Sequence, residues 1–239
     1  MRIALIAIVS LLAACASQDV SRAGDGQPGL NVARAALAAG SPELALTVSN
    51  SILAKHPGDV PALLSQGDAL GALGRLDEAA ASYTAALAAD PGSLAAQIGL
   101  GRLRLGSDPA QAQVLFLGVL RREPRNMLAL NNLGIAYDLQ GQHASAQAAY
   151  RRALGLDPTM RAAEVNLALS MALSGRAPDA VQLLKPLASD PGASRRVRHD
   201  LAAALALAGD RQGAAKVLGA DMTPEQVDHA LAAYGTFGP

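Results

Sequence analysis

The stretch MLALNNLGIAYDLQGQHASAQAAYRRALGLDP, residues 127–158, contains the pattern that decides the fold. Gly134 and Ala146 are small enough for two helices to cross closely, and the two tyrosines of the stretch fill the space beside them. Gly141 can adopt the left-handed backbone conformation that ends a helix. Pro158 keeps the residue before it out of helical geometry, so the second helix must end there. The stretch therefore predicts a hairpin of two helices.

The same pattern recurs along the chain. The crossing alanine returns as Ala45, Ala79, Ala112, Ala146, Ala180 and Ala214, and the turn glycine as Gly40, Gly74, Gly106, Gly141, Gly175 and Gly209. A period of about 34 residues with these residue types resembles the tetratricopeptide repeat, a helix–turn–helix unit. The resemblance predicts an all-α fold, a right-handed α-solenoid over residues 28–218. Its predicted repeats are about 26–59, 60–93, 94–126, 127–160 and 161–194, followed by a sixth helix pair at about 195–218. The third repeat is one residue short.

The segment MTPEQVDHALAAY, residues 222–234, is typical of a helix that closes a repeat stack. Thr223 is a favourable N-cap, Pro224 suits the first helical position, and Gln226 completes a capping box. We therefore predict a capping helix and tail at residues 219–239, covering the core that the last repeat leaves exposed. Within the fifth repeat, Pro186 predicts a kinked or shortened second helix.

Residues 1–14 predict an export leader, because a positively charged start precedes an apolar stretch from Ile3 to Leu12. This stretch is too short to span a bilayer, which takes about twenty apolar residues. The ending LAAC, residues 12–15, resembles a bacterial lipobox, in which Cys15 becomes acylated. Two alternatives are ordinary secretion after an A-x-A site and an uncleaved helix with a buried cysteine.

Residues 15–27 are predicted to be the lipidated cysteine and a flexible tether, because they are polar and lack apolar periodicity. Acylation would explain the lone thiol, since a thioether-linked cysteine cannot form stray disulfides in an oxidising periplasm. The two residues after the cysteine are Ala16 and Ser17, and neither is Asp. In the lipoprotein pattern, the absence of Asp at this place implies sorting to the outer membrane. The resemblance therefore implies a lipid anchor in the outer membrane, with the protein facing the periplasm.

Composition and motifs argue against several classes of function. The chain has 20 Lys+Arg and 20 Asp+Glu residues, so no net charge attracts it to nucleic acid or anionic lipid. Its 4 histidines show no H-E-x-x-H or other metal-ligand spacing, and no serine lies in a G-x-S-x-G motif. We therefore predict a protein that is not an enzyme, with no cofactor, no metal and no small-molecule substrate.

The clearest candidate for a binding site is a ladder of residues at the sixth position of successive repeats. The ladder consists of Asn31, Ser65, Gly99, Asn132, Asn166 and Asp200. In the tetratricopeptide class this position lies on the first helix and faces the concave side, where an amide can bond to the backbone of an extended peptide. The same register adds Asn131, Ile135, Asp138, Arg161, Arg196 and His199 as groove residues. The alternative is that these side chains bond only to local backbone.

The run SRRVRH, residues 194–199, opens the sixth repeat and is a second candidate. Its arginines could meet an acidic segment of a partner, or they could form an ordinary solvated helix face. His199 beside Asp200 could make binding sensitive to pH.

The whole chain resembles the TadD-type lipoproteins of the tight-adherence (Flp) pilus assembly machinery. The resemblance rests on residues 131–158, residues 165–210 and the tail at 222–234. It implies a protein-interaction scaffold with a pilotin-like role, which escorts or stabilises the secretin ring through which the pilus leaves. The partner would be the secretin or another pilus component. Two other roles fit the same repeats: a periplasmic adaptor that docks cell-wall hydrolases or proteases, and a subunit of an outer-membrane protein assembly complex.

Overall fold

The computed structural model describes residues 28–235, which form helices joined by short turns, without a strand. The chain divides into two compact units, one ending at Pro124 and the other beginning at Arg125. The first unit contains α1 (Pro28–Ala38), α2 (Pro42–Leu53), α3 (Val60–Ala72), α4 (Leu76–Ala89), α5 (Leu94–Arg104) and α6 (Pro109–Arg122). The second unit contains α7 (Met127–Leu139), α8 (His143–Leu156), α9 (Arg161–Leu173), α10 (Ala177–Ser189), α11 (Arg195–Leu207), α12 (Arg211–Leu218) and α13 (Pro224–Gly235).

Left-handed glycines close most of the turns within the helix hairpins. The glycines with a positive φ are Gly40, Gly74, Gly141, Gly175 and Gly209. The residue after each glycine donates its N–H to the carbonyl five positions earlier, as in the 2.9 Å bond from Gln142 to Tyr137. A side chain would strain this conformation, so glycine is the residue that suits it. The prediction for Gly141 is confirmed.

The third hairpin turns in a different way, because it is one residue shorter. Gly106 does not have a positive φ, so it does not act as the other turn glycines do. Instead, the N–H of Asp108 donates to the Arg104 carbonyl at 2.7 Å. The Asp108 side chain accepts a bond of 3.0 Å from the N–H of Gln111 and thereby caps α6. Pro109 then takes the first helical position, where a missing N–H is harmless.

The helices of a hairpin cross at the small residues predicted for that purpose. The crossing alanines are all fully buried: Ala45, Ala79, Ala112, Ala146, Ala180 and Ala214. Gly134 lies so close to the ring of Tyr150 that a Cβ atom would not fit between them. In the first unit Tyr83 packs against Gly67 and Gly99, where an added Cβ would lie 2.7 and 2.5 Å from its ring. Larger side chains would therefore force the helices apart.

Side-chain caps begin the first helix of four hairpins. These caps are Asp59 on α3, Ser93 on α5, Asn126 on α7 and Ser194 on α11. Each accepts a hydrogen bond from the N–H three residues ahead, which would otherwise lack a partner. At the end of the fourth hairpin, Asp157 is extended at φ −140° and ψ 97°, so α8 stops before Pro158 as predicted.

The C-terminal helix α13 begins with the predicted capping box. The N–H of Gln226 donates to Oγ1 of Thr223 at 3.4 Å, and the N–H of Thr223 donates to Oε1 of Gln226 at 2.9 Å. Val227 and Leu231 are buried in one cluster with residues of α11 and α12, namely Ala202, Ala214 and Leu218. The helix thus covers an apolar surface of the sixth hairpin.

Two further predictions concern helix lengths and the ends of the chain. Helix α10 continues through Pro186 to Ser189, so the predicted shortening does not occur. No helix within residues 28–235 is both long and apolar enough to cross a membrane. The predicted leader, Cys15 and the tether lie outside the described residues.

Candidate protein-binding site

The predicted ladder falls on the first helix of each hairpin. Its members are Asn31 on α1, Ser65 on α3, Gly99 on α5, Asn132 on α7, Asn166 on α9 and Asp200 on α11. The two compact units therefore hold three ladder positions each, and the contacts of these positions differ between the units.

In the first unit the ladder positions make local or packing contacts. Asn31 is exposed, and its Oδ1 accepts a 2.6 Å hydrogen bond from Nη2 of Arg34. Ser65 is buried, and its Oγ accepts a 3.0 Å bond from Oγ of Ser49, which links α3 to α2. Gly99 packs against a tyrosine ring. These contacts are made with other side chains and not with local backbone, so both interpretations of the ladder stay predictions in this unit.

In the second unit all three ladder residues are buried. Asn132, Asn166 and Asp200 expose 1%, 2% and 1% of their surface. Nδ2 of Asn166 donates to Oδ1 of Asn131 at 3.0 Å, so an amide–amide bond joins α9 to α7. The sequence placed these residues on an open groove, and the structure differs because the first helices of neighbouring hairpins pack against each other. Peptide binding by the ladder stays a prediction.

Buried polar atoms without a hydrogen-bond partner concentrate on the same set of residues. Among residues 28–235, such side-chain atoms belong to Asn132, Arg196, His199 and Asp200. All four residues were predicted to line the groove. A buried donor or acceptor left without a partner costs about 1–3 kcal/mol, and native proteins keep few of them. The second unit therefore holds donors and acceptors that a bound polypeptide could satisfy.

Arg196 and Asp200 form the charged part of this set. Nε of Arg196 lies 3.9 Å from Oδ2 of Asp200, which is too far for a hydrogen bond. Burial raises the pKa of Asp200 to about 6, and the guanidinium of Arg196 only partly opposes this. Burial also lowers the pKa of His199, an effect that the charge of Asp221 opposes. Both groups thus lie in surroundings that disfavour their charged forms.

The arginines in the basic run at the start of α11 differ in the contacts that they make within the fold. Arg198 donates to Asp221 through Nε at 3.0 Å and Nη2 at 2.8 Å, and to the Ala193 carbonyl through Nη1 at 2.8 Å. Arg195 is exposed and lies 4.0 Å from Asp221. The nitrogens of Arg196, in contrast, are buried without a hydrogen bond. The three arginines therefore have three different environments.

Asp138 departs from its predicted place on an open groove. Its carboxylate accepts hydrogen bonds from the Tyr150 hydroxyl at 2.9 Å and the Ser170 hydroxyl at 2.7 Å, and it lies 2.8 Å from Nδ1 of His143. Burial raises the pKa of Asp138, while these hydrogen bonds counteract the shift. The carboxylate thus ties α7 to α8 and α9, and partner binding by Asp138 stays a prediction.

Sequence reasoning missed this carboxylate–hydroxyl pairing, although the first unit repeats it. There the Tyr83 hydroxyl donates to Oδ1 of Asp68 at 2.6 Å. The two pairs are separated by 15 and 12 residues respectively, so a search at one fixed spacing does not find both. Within residues 28–235, no three His, Cys, Asp or Glu side chains are grouped as a metal site.

Comparisons with known proteins agree with this architecture. Tetratricopeptide repeat families match residues 30–93 and 64–106 in the first unit and residues 128–160 in the second. The crystal structure of PilW, a widely conserved type IV pilus biogenesis factor, has a TM-score of 0.72 at 23% identity, covering 85% of this chain and 96% of PilW. A tetratricopeptide repeat protein from Parabacteroides merdae has a TM-score of 0.68 at 16% identity, covering 97% of this chain and 92% of that chain. The predicted fold class, an all-α solenoid of tetratricopeptide repeats, is confirmed.

Relatives in sequence match shorter segments. An uncharacterized protein of Sinorhizobium fredii is 34% identical over 87 residues, which is 36% of this chain and 48% of that protein. SPINDLY of Hordeum vulgare, named as a probable UDP-N-acetylglucosamine–peptide N-acetylglucosaminyltransferase, is 33% identical over 108 residues, or 42% of this chain and 11% of that protein. The matches thus span about half or less of the length of these relatives.

Proposed function

We propose that this protein is a non-enzymatic scaffold that binds another protein along the first helices of its second unit. The observation that carries the proposal is the set of buried, unpartnered polar atoms on Asn132, Arg196, His199 and Asp200. An extended polypeptide offers N–H donors and C=O acceptors together, so it suits a site with both kinds of unsatisfied atom. Repeat stacks of this class use extended surfaces in this way.

We further propose that the partner belongs to the assembly machinery of a tight-adherence pilus, with the secretin as the first candidate. Two features support this proposal: the resemblance to TadD-type lipoproteins, and the fold shared with PilW, which is itself a pilus biogenesis factor. The protein would then act like a pilotin, by escorting the secretin or stabilising its ring.

The proposal includes a lipid anchor at Cys15 in the outer membrane, supported by the lipobox-like ending LAAC. An anchor confines the binding face to the membrane in which a secretin assembles, and so raises its effective concentration without any new contact. The proposal treats residues 16–27 as a tether; a flexible coil of that length would span about 20 Å and would keep the binding face close to the bilayer.

Crosslinking in intact cells, followed by capture of the protein from membranes, tests the pilus role. We expect the wild-type protein to capture the secretin, and deletion of the gene to reduce both secretin multimers and surface pili. Capture of a cell-wall hydrolase or an outer-membrane assembly protein in place of the secretin would contradict the pilus role and favour one of the other two roles. Secretin multimers and pili that are unchanged by the deletion would also contradict it.

A further inference from the structure

The start of α11 carries a concentration of positive charge. Arg195, Arg196 and Arg198 lie in or next to its first turn, which holds no acidic residue. A helix N-terminus already has a positive partial charge, so cations there are unfavourable and anions are favoured. The carboxylates of Asp200 and Asp221 lie within 4.0 Å of these arginines. Three cations against two carboxylates leave an excess of one positive charge at this place.

Of these three arginines, Arg196 combines a buried guanidinium with the absence of a hydrogen bond. Its three guanidinium nitrogens are buried without a hydrogen bond, and its ion pair with Asp200 is long, at 3.9 Å. Its side chain is 16% exposed, so it lies at the edge of the packed region. The guanidinium can therefore turn toward a partner without breaking any hydrogen bond, while its aliphatic stem stays packed.

Asp200 provides an acceptor at the same place. The residue is 1% exposed, and its Oδ2 has no hydrogen bond. When Arg196 turns toward another carboxylate, this oxygen needs a donor close by. An acidic residue in a polypeptide brings a carboxylate for Arg196 and a backbone N–H for Asp200 on one short segment.

We infer that the start of α11 is the docking point for an acidic segment of the protein partner, with a partner carboxylate on Arg196 and a partner backbone N–H on Asp200. The inference rests on the proposed function, because it specifies the chemistry of the segment that the second unit binds. A guanidinium–carboxylate pair forms two short, parallel hydrogen bonds, so a single pair of this kind sets the register of an extended segment.

The mixed charge of the site favours an acidic polypeptide over a polyanion. The carboxylate of Asp200 beside Arg196 would repel a phosphate group, with a charge of about −1.5 to −2, more strongly than it repels a carboxylate with a single charge. Arg198 is already paired with Asp221 and does not add to the attraction. The chain as a whole balances 20 cationic and 20 anionic residues, so it has no excess positive charge to attract nucleic acid or anionic lipid.

Fluorescence anisotropy with the full chain tests the inference. The probes are two labelled peptides of equal length, one in which Glu alternates with Ser and one in which Gln alternates with Ser. We expect the acidic peptide to bind at least about tenfold more tightly than the neutral one, because charge-assisted bonds to Arg196 are lost with Gln. Arg196→Gln should weaken binding of the acidic peptide by about tenfold or more.

Matched variants separate the docking point from general charge and from folding. Arg195→Gln changes a side chain that is 68% exposed in the same turn, and it should alter the affinity by less than about twofold. Asp200→Asn keeps an acceptor oxygen and removes a negative charge beside Arg196, so the acidic peptide should bind at least as tightly. Asp200→Ala has the same charge as Asp200→Asn but no acceptor, so it should bind the peptide more weakly than Asp200→Asn does. Arg196→Lys keeps the charge and should retain part of the affinity, and circular dichroism checks that each variant is folded.

The inference would be overturned if the acidic peptide failed to bind or if both peptides bound equally. An equal loss of affinity in Arg196→Gln and Arg195→Gln would also overturn it. The crosslinking experiment distinguishes it from the pilus role. If Arg196→Gln captures the secretin as well as the wild type does, the docking point is wrong and the pilus role stands. If the peptide results hold but the wild type captures no pilus protein, the pilus role is wrong and the docking point stands.

Discussion

The ring of Tyr150 occupies the space where a side chain at Gly134 would place its Cβ atom. We therefore expect Gly134→Ala to lower the free energy of unfolding by about 1–3 kcal/mol, since the ring must leave its packed position. Gly155→Ala on α8 is the matched control, because no heavy atom lies within 4 Å of its added Cβ. That change should be neutral or stabilising by up to about 1 kcal/mol. Urea unfolding measures both, and equal effects of the two changes would contradict the crossing contact.

Substitutions of the ladder residues Asn132 and Asn166 distinguish a role in binding from a role in stability. Oδ1 of Asn132 has no hydrogen-bond partner, so Asn132→Ala removes an unsatisfied acceptor, but it also leaves a small cavity. These two effects oppose each other, so the free energy of unfolding should change by less than about 1 kcal/mol, while capture of the partner is reduced. Asn166→Ala deletes the bond to Asn131 and should lower the free energy of unfolding by about 1 kcal/mol. Urea unfolding and partner capture are measured side by side. Full capture by the Asn132→Ala variant would remove this residue from the binding site.

Asp200 makes stability depend on pH in a direction that can be predicted. Burial raises its pKa from 3.8 to about 6, so the folded state binds a proton more readily than the unfolded state. This group therefore supports the folded state most at low pH, and its contribution is lost as the pH rises from about 4 to about 6. The shift corresponds to about 3 kcal/mol. Arg196 on the same helix opposes the shift, and the charge of Asp200 in turn contributes to the raised pKa of Tyr234 on α13.

Asp200→Asn should therefore raise the free energy of unfolding near pH 7 and remove the decrease between about pH 4 and pH 6. Urea unfolding at a series of pH values measures this. Asp157 provides a control of opposite sign, because hydrogen bonds from Thr159 lower its pKa, so its contribution is lost as the pH falls. If the free energy of unfolding of Asp200→Asn varied with pH as it does in the wild type, the buried carboxylate would not be the cause of the pH dependence.

At the scale of one helix, the capping box of Thr223 and Gln226 decides how firmly α13 is held. Thr223→Ala removes the acceptor for the N–H of Gln226 and should destabilise the helix by about 1 kcal/mol. We expect faster hydrogen exchange across α13 and little change in α7 to α10. Thr84→Ala on α4 is the control, because the Thr84 hydroxyl is exposed and bonds only to the Ala80 carbonyl of its own helix. Unchanged exchange in α13 would show that its packing alone holds it.

Most of the helices and turns could be predicted from the sequence, because their determinants act within one hairpin. A left-handed glycine such as Gly141, a cap such as Asn126 and a stop such as Pro158 each act over a few residues. Gly106 is the instructive exception. It has the expected residue type and position, but the deletion of one residue changes the turn, and Asp108 takes over by capping α6.

At the scale of the whole molecule, the proposed lipid anchor gives a prediction about location. Cys15→Ser should move the protein from the membrane fraction to the soluble periplasmic fraction, because a serine hydroxyl does not receive the thioether-linked lipid. Ser17→Ala, a change two residues away, should leave the protein in the membrane fraction. Cell fractionation and mass spectrometry of the N-terminus measure the outcome. An unacylated wild-type N-terminus at Ser17 would support ordinary secretion and contradict the anchor.

The sequence by itself determined the repeat class, because small residues, turn glycines and caps return in phase and each acts on its immediate neighbours. Only the tertiary structure decided which polar groups are paired. Arg198 meets Asp221 across 23 residues, and Asp138 meets Ser170 across 32, at spacings that follow no common period. Arg196 is left without a hydrogen bond although it lies in the same run as Arg198. The reason is physical: a hydrogen bond depends on the distance and orientation of groups that different helices bring together, and residue types along the chain do not specify these.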